Sequence, residues 1–531
     1  MEKAAAQTVT ITLNGKPMAV AVGSTVIQAV HASGGMIPHY CYHEDLSIAG
    51  VCRMCMVEIE KVPRLQIACN TPVAEGMVVR TDTDKVKAAV KSTLELHLIN
   101  HPLDCPICDK AGECKLQDYY SDYGLYQSRM EYEKVHKPKV QDIGTIVLDS
   151  ERCILCTRCV RFTEEVSQSH ELGIFQRGDR SELRTYDHGP LRNDYTGNLA
   201  DICPVGALTA KDFRFQCRVW FLEETKSVCG QCARGCNTVV SVNPSVQKLY
   251  RVEPRRNADV NKSWICDQGR WDYHYVSSED RIKTPAVREG EGFQEVPWAH
   301  VFKKMHASLK SDSSVWACAL STQLTNEELV DVVECLKGFG VKQFIRLADA
   351  AHVADRTAYD GVLKHRDQTP NALGWEKLMN AMGVSFIDIA QWSPMAQIMQ
   401  NLLIVGAEGH VMPGLSQLLK ATPASVALYF HGTNWNAEIR QRALAVLPNV
   451  SVYEKSGTFV NALGRLQKTK AAIPAQHISR NAHSLSLGLQ SGDDRQLVSS
   501  KKQFELFEGK VRVMLKTEAS WKLFPLEGVS L

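Results

Sequence analysis

The sequence predicts an α/β multidomain protein, with small cysteine-rich modules through the first half and a larger α/β domain with a mainly parallel sheet after them. Three observations carry this. The chain has 531 residues, more than one hydrophobic core normally serves. Sixteen of its 18 cysteines lie between Cys41 and Cys266, leaving only Cys318 and Cys335 beyond. Past Arg281-Ile282-Lys283-Thr284-Pro285 the texture changes to alternating apolar strands and amphipathic helices, the pattern of a sheet covered by helices.

Composition narrows the class. Hydrophobic residues make up 44% and charged residues 23% of the chain, ordinary values for a globular protein. A formal net charge of +2 gives no support to a polyanion-binding surface. The opening MEKAAAQTVT lacks the apolar core of a signal peptide and is not Arg- and Ser-rich like a mitochondrial presequence. No apolar run reaches the roughly 18 residues a membrane span needs. A secreted disulfide scaffold is therefore not expected, and the cysteine-dense half reads as metal-binding.

Residues 1–85 read as one small β-rich module. TVTITLNGKPMAVAV alternates around Asn14-Gly15, a hairpin signal. STVIQAVHASG follows as a short helix, with Thr25 and Gln28 placed for a capping box and Gly34-Gly35 ending it. A hairpin followed by a short helix suits a β-grasp ferredoxin. Residues 86–145 look largely helical and polar. Residues 146–215 and 216–280 are loop-rich and dense in Cys, Arg and Gly. In 281–531, WACALS, QNLLIVGAEGH and SVALYFHG read as strands. TNEELVDVVECLKGFG reads as a helix capped by Thr325 and Glu328, with Gly338 near its end.

The cysteines fall into four sets. Cys41, Cys52, Cys55 and Cys69 have the spacing C-x10-C-x2-C-x13-C. Four thiolates satisfy a [2Fe–2S] cluster, and plant-type ferredoxins use a comparable run. Gly50 allows a tight turn before Cys52. A structural zinc site is the alternative, but zinc ribbons pair two Cys-x2-Cys knuckles and only one is present. The second set, in HPLDCPICDKAGEC, has three cysteines, Cys105, Cys108 and Cys114. Its fourth ligand is either His101, which Pro102 holds extended, or a recruited Cys69 or Cys217; spacing alone leaves this open. The third set is Cys153, Cys156 and Cys159 with Cys203-Pro204, a [4Fe–4S] signature. The fourth is Cys229, Cys232, Cys236 and Cys266, whose pattern fits a [4Fe–4S] cluster and zinc alike. Cys217, Cys318 and Cys335 read as buried small hydrophobes. Arg53, Lys110, Lys115, Arg152, Arg158 and Arg161 crowd the motifs. Together they suit negatively charged clusters; each taken singly reads as a solvated surface charge.

With four sets in this order, the first 275 residues resemble the large iron–sulfur subunit of respiratory complex I, the NADH:quinone oxidoreductase. CYHEDLSIAGVCRMC, HPLDCPICDKAGECKLQDYY, ERCILCTRC with DICPVGALT, and CGQCARGC with WICDQGR carry the likeness. The remainder matches more loosely, chiefly through EKSGTFVNALGRLQ, and is similar to the family's molybdopterin-oxidoreductase-like domain. The resemblance implies a [2Fe–2S] ferredoxin module at 1–85. It implies a [4Fe–4S] module at 86–145 with one histidine and three cysteine ligands, His101, Cys105, Cys108 and Cys114, and another [4Fe–4S] module at 146–215. It also implies the N-terminal [4Fe–4S] segment of the pterin-like domain at 216–280, and that domain itself at 281–531. The fourth cluster occurs in some bacterial members, which favours a bacterial source. The implied cofactors are one [2Fe–2S] and two to three [4Fe–4S] clusters.

Departures bear on the last domain. Related molybdenum enzymes place a lysine two residues after the fourth set's last cysteine; here stands Gln268. No Cys-Arg-His or comparable molybdenum-ligand signature follows Cys266, so neither molybdenum nor a separate catalytic site is expected. VGAEG alone is weak support for a phosphate cradle. The expected function is an electron wire. It would run from a flavin-bearing NADH dehydrogenase subunit to the quinone-side iron–sulfur subunits of complex I. The expected location is peripheral, on the cytoplasmic side of the bacterial inner membrane, with no nucleic acid partner. An electron-transfer subunit of an NAD-linked hydrogenase or formate dehydrogenase, and a zinc-stabilised scaffold, are the alternatives.

Overall fold

The structure is a computed structural model. It describes residues 7–125, 127–137, 140–348, 359–409, 412, 414–494, 510–511 and 514–515. The chain divides into two compact units, Met1–Phe221 and Leu222–Leu531, each described by itself.

The first unit opens with five strands: β1 (Thr8–Leu13), β2 (Lys16–Ala21), β3 (Met56–Ile59), β4 (Gln66–Ile67) and β5 (Val78–Arg80), in the order β2-β1-β5-β3-β4. Asn14 and Gly15 turn the β1–β2 hairpin with φ of 49° and 81°, as a two-residue type I′ turn requires. β1 also pairs with β5 in parallel. Helix α1 (Val26–Ala32) begins in the expected Thr25–Gln28 capping box. Its Val26, Ile27 and Val30 pack with Leu13, Val57, Ile59 and Val79 into one core. A helix over a mixed sheet is the expected ferredoxin-like module.

Residues 86–145 depart from expectation. Among the described residues only α2 (Asp84–Leu98), α3 (Lys115–Tyr123) and a short 3-10 turn at Cys105–Ile107 are helical. Pro102 and Pro106 withhold backbone donors, and Gly112 sits at φ 90°, so the intervening chain loops. Beyond it, Gln141–Asp142, Ile146–Leu148 and Leu208–Ala210 form a three-stranded sheet, with α4 (Arg158–Glu165) nearby in sequence.

The second unit contains a three-stranded antiparallel sheet that the sequence reading passed over: Glu223–Val228, Asn237–Asn243 and Lys248–Pro254. Its signal was present, since NTVVSVN alternates before the turn residues Asn243, Pro244 and Ser245. The expected α/β domain follows as an eight-stranded sheet. Six parallel strands lie in the order Ala443–Pro448, Ala427–Gly432, Asn401–Ala407, Trp316–Ser321, Gln343–Leu347, Ile387–Asp388. A hairpin of Ala286–Glu289 and Gly292–Glu295 joins antiparallel at one edge. WACALS is buried throughout, as a strand covered on both faces must be. One face packs on helices Trp298–Ser311, Asn326–Phe339, Ala372–Ala381 and Ala482–Ser491, and the other on Ile389–Ala396, Leu415–Ala421 and Ala437–Arg442. Helix Asn326–Phe339 has the expected Thr325–Glu328 capping box, and Gly340 at φ 98° closes it two residues past Gly338.

Numbered along the chain, the parallel strands run 3-2-1-4-5-6. This doubly-wound order opens its ligand crevice where the winding reverses, between the ends of Trp316–Ser321 and Asn401–Ala407. Among the described residues no helix is long and apolar enough to cross a membrane.

Candidate iron–sulfur centres

The first set converges on the end of the ferredoxin-like sheet. Cys41, Cys52 and Cys55 lie on the loop between α1 and β3, and Cys69 on the 3-10 turn after β4. All four are at least 96% buried. Cys41 is within hydrogen-bonding reach of Cys52 and Cys69, and Cys55 of Cys69. Those bonds pull the Cys41 and Cys55 thiols below their ordinary value and push Cys52 and Cys69 above it. The Tyr40 amide donates to Cys52 Sγ at 3.4 Å. Gly50 at φ 65° makes the tight turn expected before Cys52.

The second set lines a cavity of about 790 Å³ whose walls include His101, Cys105, Cys108 and Cys114, but neither Cys69 nor Cys217. Burial holds His101 neutral, its pKa lowered to about 4. Neutral imidazole is the form that ligates metal. Its Nδ1 is buried and has no hydrogen-bond partner among the described residues. Cys114 is the N-cap of α3, and burial pushes its thiol up to about 11, against the pull of the Gln117 and Leu116 amides. Gly206 forms part of the wall: a Cβ there would stand 2.3 Å from Cys108 Sγ.

The third set surrounds a far smaller space, about 20 Å³, lined by Cys153, Cys156, Cys159 and Cys203 with Ile154, Leu155, Ile174, Leu183 and Leu208. Leu155 and Thr157 take positive φ of 54° and 62°, uncommon for any non-glycine and an outlier for β-branched Thr157. Those turns direct three cysteines inward from one short loop. Burial raises Cys153 to about 12 and Cys156 to about 11. The fourth set closes around the Cys229 amide, which donates to the Cys236 carbonyl at 2.8 Å. Cys266 caps helix Asp267–Trp271 and accepts from the Gly269 amide. Burial raises Cys266 to about 12 and takes Cys229 and Cys236 well above the ordinary thiol value.

The thiols that burial raises, Cys153, Cys156, Cys229, Cys236 and Cys266 among them, stay protonated unless a cation replaces the proton. With the orphaned His101 Nδ1 and the glycine wall at Cys108, the donor sets suit iron–sulfur groups. Among the described residues no three His, Cys, Asp or Glu side chains are placed to hold a single metal ion.

Three arginines correct the sequence reading. Arg152, Arg158 and Arg161 are 5%, 9% and 7% exposed and serve as cross-links rather than surface charges. Arg152 pairs with Asp104 at 2.6 Å and Asp149 at 3.3 Å. Arg158 donates to the carbonyls of Tyr42 and Ile202, and Arg161 to those of Cys41 and Ser47. Arg53 and Lys115 are exposed as expected. Cys318 and Cys335 are buried as expected, but Cys217 is half-buried, its Sγ against the Arg218 carbonyl.

Beside the crevice of the parallel sheet, side chains from several segments form a buried network. Lys455, from the EKSGTFVN segment, lies buried between Glu408 and Glu328 and donates to the Gln323 carbonyl at 3.1 Å. The VGAEG amides are occupied: Glu408 N donates to Gln323 Oε1 and Gly409 N to Thr433 Oγ1. A Cβ on Gly406 would meet Leu324 at 2.3 Å. Gly406 serves packing here. Gln268, where the molybdenum enzymes keep lysine, donates to Gln368.

Family models match most of the cysteine-rich half. The "2Fe-2S iron-sulfur cluster binding domain" covers residues 6–84, and the "NADH-ubiquinone oxidoreductase-G iron-sulfur binding region" covers 91–129. The "NADH-quinone oxidoreductase subunit 3, ferredoxin-like domain" covers 144–209, and the "NADH-ubiquinone oxidoreductase NDSU1/NuoG-like, 4Fe-4S domain" covers 222–274. The G subunit of NADH-quinone oxidoreductase from Rickettsia felis is 37% identical over 341 residues, 63% of this chain and 50% of the relative. The mitochondrial NADH-ubiquinone oxidoreductase 78 kDa subunit of Candida albicans is 40% identical over 303 residues, 56% of this chain and 42% of the relative. A chain of a crystal structure of an NAD+-reducing [NiFe]-hydrogenase in the H2-reduced state is 30% identical, covering 40% of this chain and 91% of that one. Its TM-score is 0.37. The chain spans about half the length of the curated relatives it matches. Through its iron–sulfur region, the chain is similar to the G subunits of NADH-quinone oxidoreductase and to their mitochondrial 75 and 78 kDa counterparts.

Proposed function

We propose that the chain is an electron relay of NADH:quinone oxidoreductase, taking electrons from the flavin-bearing NADH dehydrogenase subunit and passing them to quinone-side iron–sulfur subunits. Bound iron–sulfur clusters supply the one-electron chemistry. The ligands are Cys41, Cys52, Cys55 and Cys69 for a [2Fe–2S] cluster; His101, Cys105, Cys108 and Cys114 for one [4Fe–4S] cluster; and Cys153, Cys156, Cys159 and Cys203 for another. Cys229, Cys232, Cys236 and Cys266 hold a further [4Fe–4S] cluster.

One observation carries the proposal: the first unit sets three ligand groups in a row whose spatial order differs from chain order. Arg158 bonds a carbonyl beside Cys41 and one beside Cys203, so the first and third sets are neighbours. On the third set's other side, the Lys115 amide beside Cys114 donates to the Pro204 carbonyl at 3.0 Å, and Gly206 abuts Cys108. The Cys153 set is thus the middle station, and the protein's part is to bury the row from water and hold its members adjacent. We further propose that the second unit is a pterin-like domain without molybdenum, because Lys455, Glu328 and Glu408 form a buried network beside the crevice where a cofactor would lie. The subunit sits peripherally on the cytoplasmic face of the bacterial inner membrane.

EPR during reductive titration of the anaerobically purified chain tests the relay. One [2Fe–2S] and at least two [4Fe–4S] signals, magnetically coupled between the first and third sets, are expected. Magnetically isolated signals contradict the row.

A further inference from the structure

Arg158 is the first helical residue of α4, placed between Cys156 and Cys159. It is nine-tenths buried. One terminal nitrogen, Nη1, donates to the Ile202 carbonyl at 3.2 Å, next to Cys203; the other, Nη2, donates to the Tyr42 carbonyl, next to Cys41. Its Nε is buried and has no hydrogen-bond partner among the described residues. A guanidinium keeps its charge even when burial opposes it. The thiols of Cys156, Cys203 and Cys41 all act electrostatically on this one group. Arg161, three residues on, differs: its carbonyl partners, Cys41 and Ser47, both belong to the first loop.

We infer that Arg158 is a positioning residue shared by two centres, a fixed positive charge that raises the reduction potentials of the Cys41 and Cys153 sets together, with its Nε–H turned to a sulfur of the middle centre. The inference rests on the proposed ligand sets. The physical reason is that a reduced cluster carries one more negative charge than the oxidised one. A nearby cation therefore favours the reduced form, and hydrogen bonds to cluster sulfurs act in the same direction. Arg158 itself gains and loses neither electron nor proton.

The test is Arg158→Gln in the full chain, purified anaerobically with its clusters and titrated by EPR. Both the [2Fe–2S] signal and the Cys153-set [4Fe–4S] signal should become harder to reduce, each by about tenfold in the reduction equilibrium, or ~59 mV for a one-electron couple. The signal of the His101 set should stay in place. Arg158→Lys keeps the charge and should hold both potentials near their original values. Movement of neither signal, of one alone, or of both as far in the lysine variant as in the glutamine variant overturns the inference. Should the glutamine variant lose its clusters, ENDOR on unmodified protein labelled with 15N-arginine decides. Coupling of an arginine nitrogen to the reduced middle centre supports the inference, and its absence refutes it. Unmodified protein lacking both signals would instead sink the relay proposal, so the two failures are distinguishable.

Discussion

Replacing Gly206 by alanine adds one methyl group to the wall of the second set, and the structure says where it lands. The new Cβ would stand 2.3 Å from Cys108 Sγ, 3.3 Å from Lys110 Cβ and 3.5 Å from Arg152 Cδ. Ordinary non-bonded carbon contacts begin at about 3.5 Å, so the sulfur must retreat by more than about 1 Å. Arg152 is tied to Asp104 and Asp149, so the room left to the sulfur is the cavity that the second set lines, where its metal would lie. Overpacking of this kind costs ~1–3 kcal/mol in an ordinary core. Here it also displaces a sulfur that must stay about 2.3 Å from its metal. Gly206→Ala should therefore lower iron by about four atoms per chain and remove the His101-set EPR signal, leaving the [2Fe–2S] signal unchanged. Gly338→Ala is the control. Nothing lies within 4 Å of a Cβ there, the residue is inside helix Asn326–Phe339, and the change should stabilise by ~0.5–1 kcal/mol. Full iron content in Gly206→Ala, with the signal intact, would refute the assignment of Cys108 as a ligand held against that wall.

Two further outcomes concern the second unit. Lys455→Met removes the cation between Glu328 and Glu408, whose side chains are 6% and 3% exposed. Leaving both carboxylates uncompensated should lower stability by ~3–5 kcal/mol, seen as a lower urea midpoint; a loss below ~1 kcal/mol would contradict the account. Burial raises Glu327 from the ordinary 4.5 to about 7. Because the folded value is the higher one, its favourable contribution is complete below pH 4.5 and is lost as pH climbs through about 7. At ~1.4 kcal/mol per unit the loss is ~3 kcal/mol. Glu327→Gln should flatten that part of the urea-stability profile between pH 4.5 and 7, and an unchanged slope would show that another group supplies it.

The sequence made the local devices legible where one residue type has one physical use. Asn14-Gly15, the Thr25–Gln28 box and the Thr325–Glu328 box each appear as read. The grouping of the cysteines into four sets was legible because thiolate spacing is itself the chemistry. What escaped was set by distant chain. Nothing beside Arg158 announces that its guanidinium is enclosed by residues 42 and 202, so a surface charge was the natural expectation. Gly206 has no unusual backbone angle, and only the approach of Cys108, 98 positions earlier in the sequence, gives it a purpose. The Lys455 network joins Gln323 and Glu328 with Glu408 and Lys455 from three separate segments, and only the winding of the sheet brings them together. The 223–254 sheet was recoverable from its alternation, but cysteine and arginine dominated the reading there.

The central claim is that four ligand sets hold iron–sulfur clusters. Metal and acid-labile sulfide analysis of the anaerobically purified chain tests it most directly. The account predicts about fourteen irons per chain with matching sulfide, and neither zinc nor molybdenum. Stoichiometric zinc in place of iron in a carefully loaded sample would contradict it.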